Sequence, residues 1–405
     1  MVGLIKKISR LFGKLKFISP DKCDVIILHH NTFWLKKFVL RDMKSTVLAD
    51  DHLGRIYYIT PALLVKTLFR LHLIDWPDKG ETCSLKLLLN KIYRMYLLAC
   101  IDEIQAKLVI TFIDNSSIAQ FFSRIDRKRT YFFVQNGART LACVRDTLPP
   151  YPDSGSIISM TNFFCFGQRD IDLFVSNGHQ VDKYIPIGSL GMGCYQSHVP
   201  PNPIMDFDLC LISQWDKSFF EDNPTMNHLH SISYRVGIGI TGVNSFISRL
   251  VEETGLKLVI CQRCEHNDEE IAYLIGVFGP KPFISEPDYK NFAAYRMIDR
   301  SKLTIALNST LLLEGFSRGK KVLWCNVPKD EHYEMPEAGI SYFEGGDYTA
   351  FKERVLMLLK MPQDYYEETT RERARYISNY NPLTPPHEII RSAVISVLAQ
   401  SESTP

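Results

Sequence analysis

The sequence alternates short apolar runs with helical stretches over most of its length, and this alternation constrains the fold more than any other feature. In the first half, the runs CDVIILHH (23–30) and KLVITFI (107–113) end at polar residues. Continuous apolar strands separated by helices are typical of a parallel sheet covered on both faces. The pattern therefore predicts an α/β fold that also includes the strands TYFFV (130–134), FFCFG (163–167) and YIPIG (184–188).

A second alternating half follows a segment rich in glycine and proline. The chain has 405 residues, of which 45% are hydrophobic, so two domains with separate cores are expected. The segment that separates them, 190–206, has no periodicity and is predicted to be the interdomain linker. The predicted parts are an amphipathic helix (1–18), a first domain (19–189), the linker (190–206), a second domain (207–346) and C-terminal helices (347–405).

The stretch KLTIALNSTLLLEGFSRGKKVLWCN (302–326) has the clearest chemical pattern. It predicts a strand, a polar corner, a short helix and a second strand. Asn308 or Ser309 can cap the helix, and the free N–H groups of its first turn form an anion site with the hydroxyls of Ser309 and Thr310. Glu314 follows on the same face, where its carboxylate could accept hydrogen bonds from ribose hydroxyls. An ordinary capped helix with a solvated glutamate is the alternative.

Polar residues also follow three predicted strands of the first half, where ligands of parallel sheets bind. These candidates are His29 and His30, Asp114, and the cluster Gln135, Asn136, Gly137 and Arg139. The Asp114 carboxylate could act as a base or nucleophile, or it could cap the following helix. Gly137 permits a tight turn that lets the backbone approach a ligand. The two histidines are alternatively buried structural groups.

The corner at 308–314 resembles the nucleotide-binding corner of GT-B glycosyltransferases. The segments 113–115 and 135–139 resemble the acceptor-side motifs of surface-carbohydrate transferases, a group that includes the Kdo transferases of capsule and lipopolysaccharide assembly and related glycerol-phosphate polymerases. The resemblance implies two Rossmann-like domains that face each other across a cleft, with the acceptor on the first and the nucleotide sugar on the second. It also implies that helices in 347–405 brace the first domain. No histidine of this chain precedes a proline, whereas several of these families carry a His-Pro dipeptide.

The resemblance implies a glycosyltransferase that moves a sugar from a nucleotide-activated donor, with CMP-Kdo as one candidate, to a growing surface glycan or lipid-linked glycan of lipopolysaccharide or capsule. Asp114 is the candidate base, and Asp216 is the other candidate reactive carboxylate. Arg263 is expected beside the donor phosphate, or alternatively in a surface salt bridge. Because a helix N-terminus can stabilise the leaving phosphate, no metal or cofactor is expected. A CDP-polyol phosphotransferase of the same fold and a non-catalytic nucleotide- or sugar-binding scaffold are the alternatives.

Three motifs that suggest metal or redox chemistry have simpler explanations in the sequence. The acids of Asp170-Ile171-Asp172 and Asp206-Phe207-Asp208 stand where predicted helices or strands begin. The pair Cys261 and Cys264 is an isolated CxxC whose first cysteine lies inside an apolar strand. We therefore expect none of these motifs to bind a metal.

The first eighteen residues have the most strongly biased composition. Apolar residues between Leu4 and Leu15 follow helical spacing, and the cations fall largely on the other face. This pattern predicts a basic amphipathic helix on the anionic inner face of a membrane, or a helix docked on the protein's own core. The net charge of +2 argues against nucleic acid, and ten cysteines without a predicted signal peptide indicate a reducing compartment. The expected location is cytoplasmic and peripheral to the membrane.

Overall fold

The structure is a computed structural model that describes residues 15–29, 32–48, 57–73, 85–147, 157–200, 204–219, 227–263 and 265–400. It contains two six-stranded sheets and one two-stranded sheet, and every recorded strand pairing is parallel. The predicted α/β class with two parallel sheets is therefore confirmed.

The strands are β1 Leu15–Lys16, β2 Val25–Ile27, β3 Ser45–Val47, β4 Tyr57–Tyr58, β5 Leu108–Thr111, β6 Thr130–Val134, β7 Ser159–Cys165, β8 Gln180–Pro186, β9 Phe207–Ile212, β10 Leu258–Cys261, β11 Phe283–Ser285, β12 Ser301–Ala306, β13 Val322–Asn326 and β14 Tyr342–Glu344. The α-helices are α1 Pro61–Phe69, α2 Leu85–Ile104, α3 Ser117–Ile125, α4 Gln168–Ser176, α5 Leu190–His198, α6 Asn227–Thr254, α7 Asp268–Phe278, α8 Ala293–Asp299, α9 Thr310–Ser317, α10 Tyr348–Lys360, α11 Gln363–Ile377 and α12 Pro386–Gln400. Short π or 3-10 turns span Leu35–Val39, Leu71–Leu73, Cys143–Thr147, Lys217–Phe219, Glu331–Tyr333 and Pro336–Ser341.

The first sheet has the order β3-β2-β5-β6-β7-β8, and the second has the order β11-β10-β9-β12-β13-β14. In the second sheet the chain builds outward from β9 to β11 and then returns to pair β12 with the other edge of β9. This reversal opens a crevice beyond the carboxyl ends of β9 and β12, which is where ligands of such sheets bind. The residues that follow these two strands are therefore candidates for ligand binding.

Both sheets are covered on their faces, which explains why their strands are apolar throughout. The residues of β5 and β13 are all buried. On the second domain, the fully buried Trp324 of β13 meets Phe316 of α9 edge to face, with ring centroids 5.5 Å apart. This contact seats the helix that carries the polar corner against the sheet.

The segment predicted to be an irregular linker, 190–206, begins with helix α5. This helix could not be predicted from residue propensities, because it contains two glycines. The glycines are needed instead for close packing. A Cβ atom at Gly191 would lie 2.5 Å from the Trp34 ring, and one at Gly193 would lie 2.5 Å from Pro386. The prediction of an irregular segment is therefore wrong for residues 190–198.

Only the last few residues of the predicted N-terminal helix lie within the described part of the chain. Leu15 and Lys16 form strand β1 instead of a helix, since the Lys16 carbonyl accepts a hydrogen bond from the Ile59 N–H at 2.8 Å. Residues 1–14, which carry most of the predicted amphipathic helix, lie outside the described residues. None of the described helices combines the length and the apolar character that crossing a bilayer requires.

The C-terminal helices contact both domains. Helix α12 packs against α5 and the turn Leu35–Val39, and α11 packs against α4 and α9. Arg391 of α12 donates to the Val39 carbonyl at 3.0 Å and pairs with Asp42 at 2.9 Å. These contacts place helix α12 on the first domain.

Candidate functional site

A cavity of about 480 Å³ lies between the two domains. The second domain supplies the residues that follow β9, β10 and β12, together with the loop before α8. The first domain supplies Trp34, Phe112, Asn136 and Ser189. The cavity therefore occupies the crevice that the reversal of strand order creates.

The polar corner after β12 forms one wall of this cavity. Ser309 caps α9, because its Oγ accepts a hydrogen bond from the Leu311 N–H at 3.3 Å. The Asn308 N–H donates to Gln214 Oε1 at 2.7 Å, and Gln214 Nε2 donates back to the Asn308 carbonyl. This reciprocal pair fixes the corner to the end of β9. The predicted cap is therefore present at Ser309, and Asn308, Ser309 and Thr310 all line the cavity.

The loop 135–139 of the first domain contacts the same corner. The Ala138 N–H donates to the Thr310 hydroxyl at 2.9 Å. A Cβ atom at Gly137 would lie 3.0 Å from Arg139 Nη1 and 3.5 Å from Thr310 Oγ1. Glycine at 137 therefore permits the backbone to approach the corner, and the structure joins two clusters that lie far apart in sequence.

Glu314 lies one turn into α9, lines the cavity and is 3% exposed. Its carboxylate accepts hydrogen bonds from the hydroxyls of Ser189 and Tyr295. Burial raises the pKa of Glu314 to about 7, although both hydroxyl donors and the charge of Arg318 act in the opposite direction. The site thus holds a carboxyl group that changes charge near neutral pH. The Glu314 carboxylate accepts hydrogen bonds from hydroxyl groups, as the ribose hypothesis requires. In this structure, however, the hydroxyl groups belong to the protein.

Arg263 follows β10 and also lines the cavity. Its Nη1 atom lies 3.4 Å from Asp216 Oδ2 and donates to the Gln214 carbonyl at 3.3 Å. Both side chains are partly exposed, at 43% and 37%. The two predicted residues are therefore brought together as an ion pair, of which Arg263 lines the cavity and Asp216 does not.

Asp114 is 1% exposed and forms a two-pronged ion pair with Arg139. The Arg139 Nε atom lies 2.9 Å from Asp114 Oδ2, and Nη2 donates to Oδ1. Helix α3 is capped by Ser116, whose Oγ accepts from the Ala119 N–H at 3.2 Å, so the capping alternative for Asp114 is wrong. Neither member of the pair is among the residues that line the cavity. The carboxylate instead orders the loop that carries Asn136 and Ala138.

The other first-domain candidates separate into one cavity residue and several structural ones. Asn136 lines the cavity and accepts from Arg139 Nη2 at 3.1 Å. Gln135 is buried, donates to the Gly137 carbonyl at 2.9 Å and to Asp170 Oδ1 at 3.0 Å, and accepts from the Phe166 N–H. His29 is buried away from the cavity lining, and His30 lies outside the described residues.

Several cavity residues were missed by the sequence reasoning: Trp34, Ser189, Gln214, Gln262 and Tyr295. Gln262 is 5% exposed and donates through Nε2 to the Asn267 carbonyl at 3.2 Å. That bond orients the amide, and its Oε1 atom has no hydrogen-bond partner among the described residues. Gln214 and Gln262 follow the apolar strands β9 and β10, so the strand-end rule used for the first domain would have found them.

The motifs that suggest metal chemistry have structural partners. Asp170 accepts from the Gly167 N–H at 3.2 Å at the start of α4, and burial raises its pKa to about 6. Asp206 pairs with Arg300, and Asp208 pairs with Lys302 at 2.7 Å. Cys261 lies 3.7 Å from Cys210, both as free thiols, and Cys264 is not described. Within the described ranges, no three His, Cys, Asp or Glu side chains form a group that could hold a metal ion.

Comparison with known proteins establishes the fold. No model of a known protein family matches the chain, and no curated protein matches it in sequence. UDP-GlcNAc 2-epimerase from Methanocaldococcus jannaschii, solved with UDP-GlcNAc and UDP, is 11% identical over 93% of this chain and 99% of its own, with a TM-score of 0.55. S. aureus MnaA, solved with UDP, is 13% identical over 94% and 97%, with a TM-score of 0.55.

The wall teichoic acid polymerase TagF is also similar in structure, with 9% identity, coverage of 93% of this chain and 90% of that chain, and a TM-score of 0.53. Identities this low show the fold alone. They confirm the predicted GT-B type of fold, in which two Rossmann-like domains face each other across a cleft.

Proposed function

We propose that this chain is a glycosyltransferase that takes a sugar from a nucleotide-activated donor, which binds in the cavity between the two domains. The observation that carries this proposal is the corner Asn308-Ser309-Thr310. It presents two hydroxyls and the first turn of α9 to a cavity at the switch point of a parallel sheet. Such a helix start favours a phosphate. Structures with the same fold have been solved with UDP-GlcNAc and UDP, which supports a nucleotide-sugar donor.

In this proposal the leaving nucleotide phosphate rests on the N-terminus of α9, where the helix dipole and the hydroxyls of Ser309 and Thr310 stabilise its growing charge. Arg263 supplies a cation on the adjacent wall. Glu314 accepts hydrogen bonds from the ribose hydroxyls, either in place of those from Ser189 and Tyr295 or in addition to them. The unpartnered Oε1 atom of Gln262 requires a hydrogen-bond donor, and an N–H or O–H group of the donor substrate would satisfy it.

The acceptor enters from the first-domain wall formed by Trp34, Phe112 and Asn136. We propose a surface glycan or a lipid-linked glycan as this acceptor, at the cytoplasmic face of the membrane. The catalytic roles of Asp114 and Asp216 stay predictions, because each carboxylate is paired with an arginine and neither is in the cavity lining. Metal independence and the CMP-Kdo donor are likewise expectations.

A CDP-polyol phosphotransferase is the second candidate, supported by the structural similarity to TagF. It would use the same phosphate corner, but the phosphoryl group itself would move to the acceptor. A binding scaffold is the third candidate, and it would use the cavity without turnover.

Product analysis separates these candidates. The full chain is incubated with lipid-linked glycan acceptors and either UDP-, GDP- and CMP-activated sugars or CDP-glycerol and CDP-ribitol. We expect a glycosylated product and free nucleotide from at least one sugar nucleotide, and no product from the CDP-polyols. A product that carries polyol phosphate would assign the second candidate instead, and saturable nucleotide binding without any product would assign the scaffold.

A further inference from the structure

Helix α1 presents an apolar face to solvent. Leu64, Val65, Leu68 and Phe69 are all exposed, Leu68 by 65% and Phe69 by 76%. Their spacing places them on one side of the helix, whereas Leu63 and Thr67 on the other side are buried. Single exposed apolar residues are ordinary, but a contiguous set marks an interaction surface.

Two more exposed apolar residues follow strand β1, which pairs with the residues before α1. This strand pairs with β4, and the Ile59 N–H donates to the Lys16 carbonyl at 2.8 Å, just before Thr60 caps α1. The next residues of the chain, Phe17 and Ile18, are 70% and 62% exposed. They follow the strand that pairs with the residues leading into α1. Together with the four residues of the helix face, they form what we name the apolar patch: Phe17, Ile18, Leu64, Val65, Leu68 and Phe69.

Ion pairs hold α1 with this face outward. Lys66 pairs with Glu103 of α2, and Arg70 pairs with Asp102 of the same helix. Arg129 also donates to Asp102, so the carboxylate bridges two arginines. Because the polar side of α1 is attached to α2, the exposed side cannot be buried by a simple rotation of the helix.

The charge of the sequence that leads into the apolar patch indicates its partner. The first sixteen residues of the sequence contain no carboxylate and five cations: Lys6, Lys7, Arg10, Lys14 and Lys16. The last of these, Lys16, lies in β1 next to the patch, with its Nζ 5.9 Å from the centroid of the Tyr58 ring. Apolar side chains flanked by cations suit the interface of an anionic bilayer, where the side chains enter the acyl boundary and the cations meet the headgroups.

We propose that the apolar patch docks the protein on an anionic lipid bilayer. The inference is independent of the proposed function, since it uses no residue of the cavity. A glycosyltransferase with a soluble acceptor could have this surface, and a patch that does not bind lipid would leave the cavity assignment unchanged.

Vesicle flotation tests the proposal with the full chain. We expect wild type to float with vesicles of phosphatidylcholine and phosphatidylglycerol, and to float poorly with phosphatidylcholine alone. The double variant Leu68→Glu, Phe69→Glu should reduce the bound fraction by roughly tenfold or more, because it places two carboxylates against anionic lipid. The matched control is Val175→Glu with Leu383→Glu, which changes two exposed apolar residues elsewhere and should bind as wild type does. Circular dichroism and thermal melting verify that the variants fold.

Two results would overturn the proposal: wild type that does not float with the anionic vesicles, or a folded patch variant that floats as well as wild type. Removal of residues 1–14 should weaken binding further, because it removes four of the five cations. Unchanged binding after this deletion would overturn the electrostatic part. A patch variant that loses self-association, in a protein that never binds vesicles, would assign the surface to a second copy instead.

Discussion

Replacement of Asp114 by alanine is expected to lower the free energy of unfolding by about 3–5 kcal/mol, the cost of removing one partner from a buried ion pair. The Asp114 carboxylate is buried, and both of its oxygens accept hydrogen bonds from Arg139. Its loss would leave the Arg139 guanidinium without its ion-pair partner in a site that is largely shielded from water. Urea unfolding followed by circular dichroism measures the change directly.

The double variant Asp114→Ala, Arg139→Met should recover part of this loss, because it removes the unpaired charge as well. Asp206→Ala is a matched control: Asp206 pairs with Arg300, but the two side chains are 37% and 32% exposed. A partly exposed pair is expected to contribute only ~0–1 kcal/mol. Equal costs for Asp114→Ala and Asp206→Ala would contradict the structural role that we assign to the buried pair.

Replacement of Glu314 by glutamine is expected to stabilise the protein above pH 7. Burial raises the pKa of Glu314 from 4.5 to about 7, so the folded state binds this proton more tightly than the unfolded state does. The wild type therefore loses stability as the pH rises from 4.5 through 7, by up to about 1.4 kcal/mol per pH unit. Glutamine keeps an oxygen that can accept from Ser189 and removes the charge.

Urea unfolding at pH 5 and pH 8 checks this prediction. The wild type should lose on the order of 3 kcal/mol between these values from this group alone, and the Glu314→Gln variant should lack that part of the change. Glu353→Gln, at an exposed position, is the control and should keep the wild-type pH dependence. The same pH slope in wild type and in Glu314→Gln would show that another group titrates. If Glu314 also holds the donor ribose, the more stable variant should bind nucleotide more weakly.

The predictions that the structure confirms are those that depend only on residues close together in the sequence. Continuous apolar strands require cover on both faces, so the two parallel sheets could be predicted from the sequence. The cap at Ser309 depends on residues within three positions of it, so it could also be predicted from the sequence.

Contacts between residues far apart in sequence were not predictable in this way. Asp114 was assigned from its own strand, but its behaviour depends on Arg139, 25 positions later. Glu314 was expected to face solvent or a ribose, and its oxygens are instead held by Tyr295 and by Ser189, which lies 125 positions earlier. Helix α5 was missed because its glycines reflect close contacts with Trp34 and Pro386 that no local pattern records.

Calorimetric titration of CMP, CDP, UDP and GDP into wild type and into the Ser309→Ala, Thr310→Ala variant tests the central claim most directly. Thr310→Ser is the matched control, because it keeps the hydroxyl that accepts from the Ala138 N–H. We expect saturable binding of at least one nucleotide to wild type and to Thr310→Ser. The double alanine variant should bind about 1–3 kcal/mol more weakly, since each lost hydroxyl leaves phosphate oxygens unpaired. Equal affinity of the double alanine variant and wild type would contradict the assignment of this corner as the phosphate site.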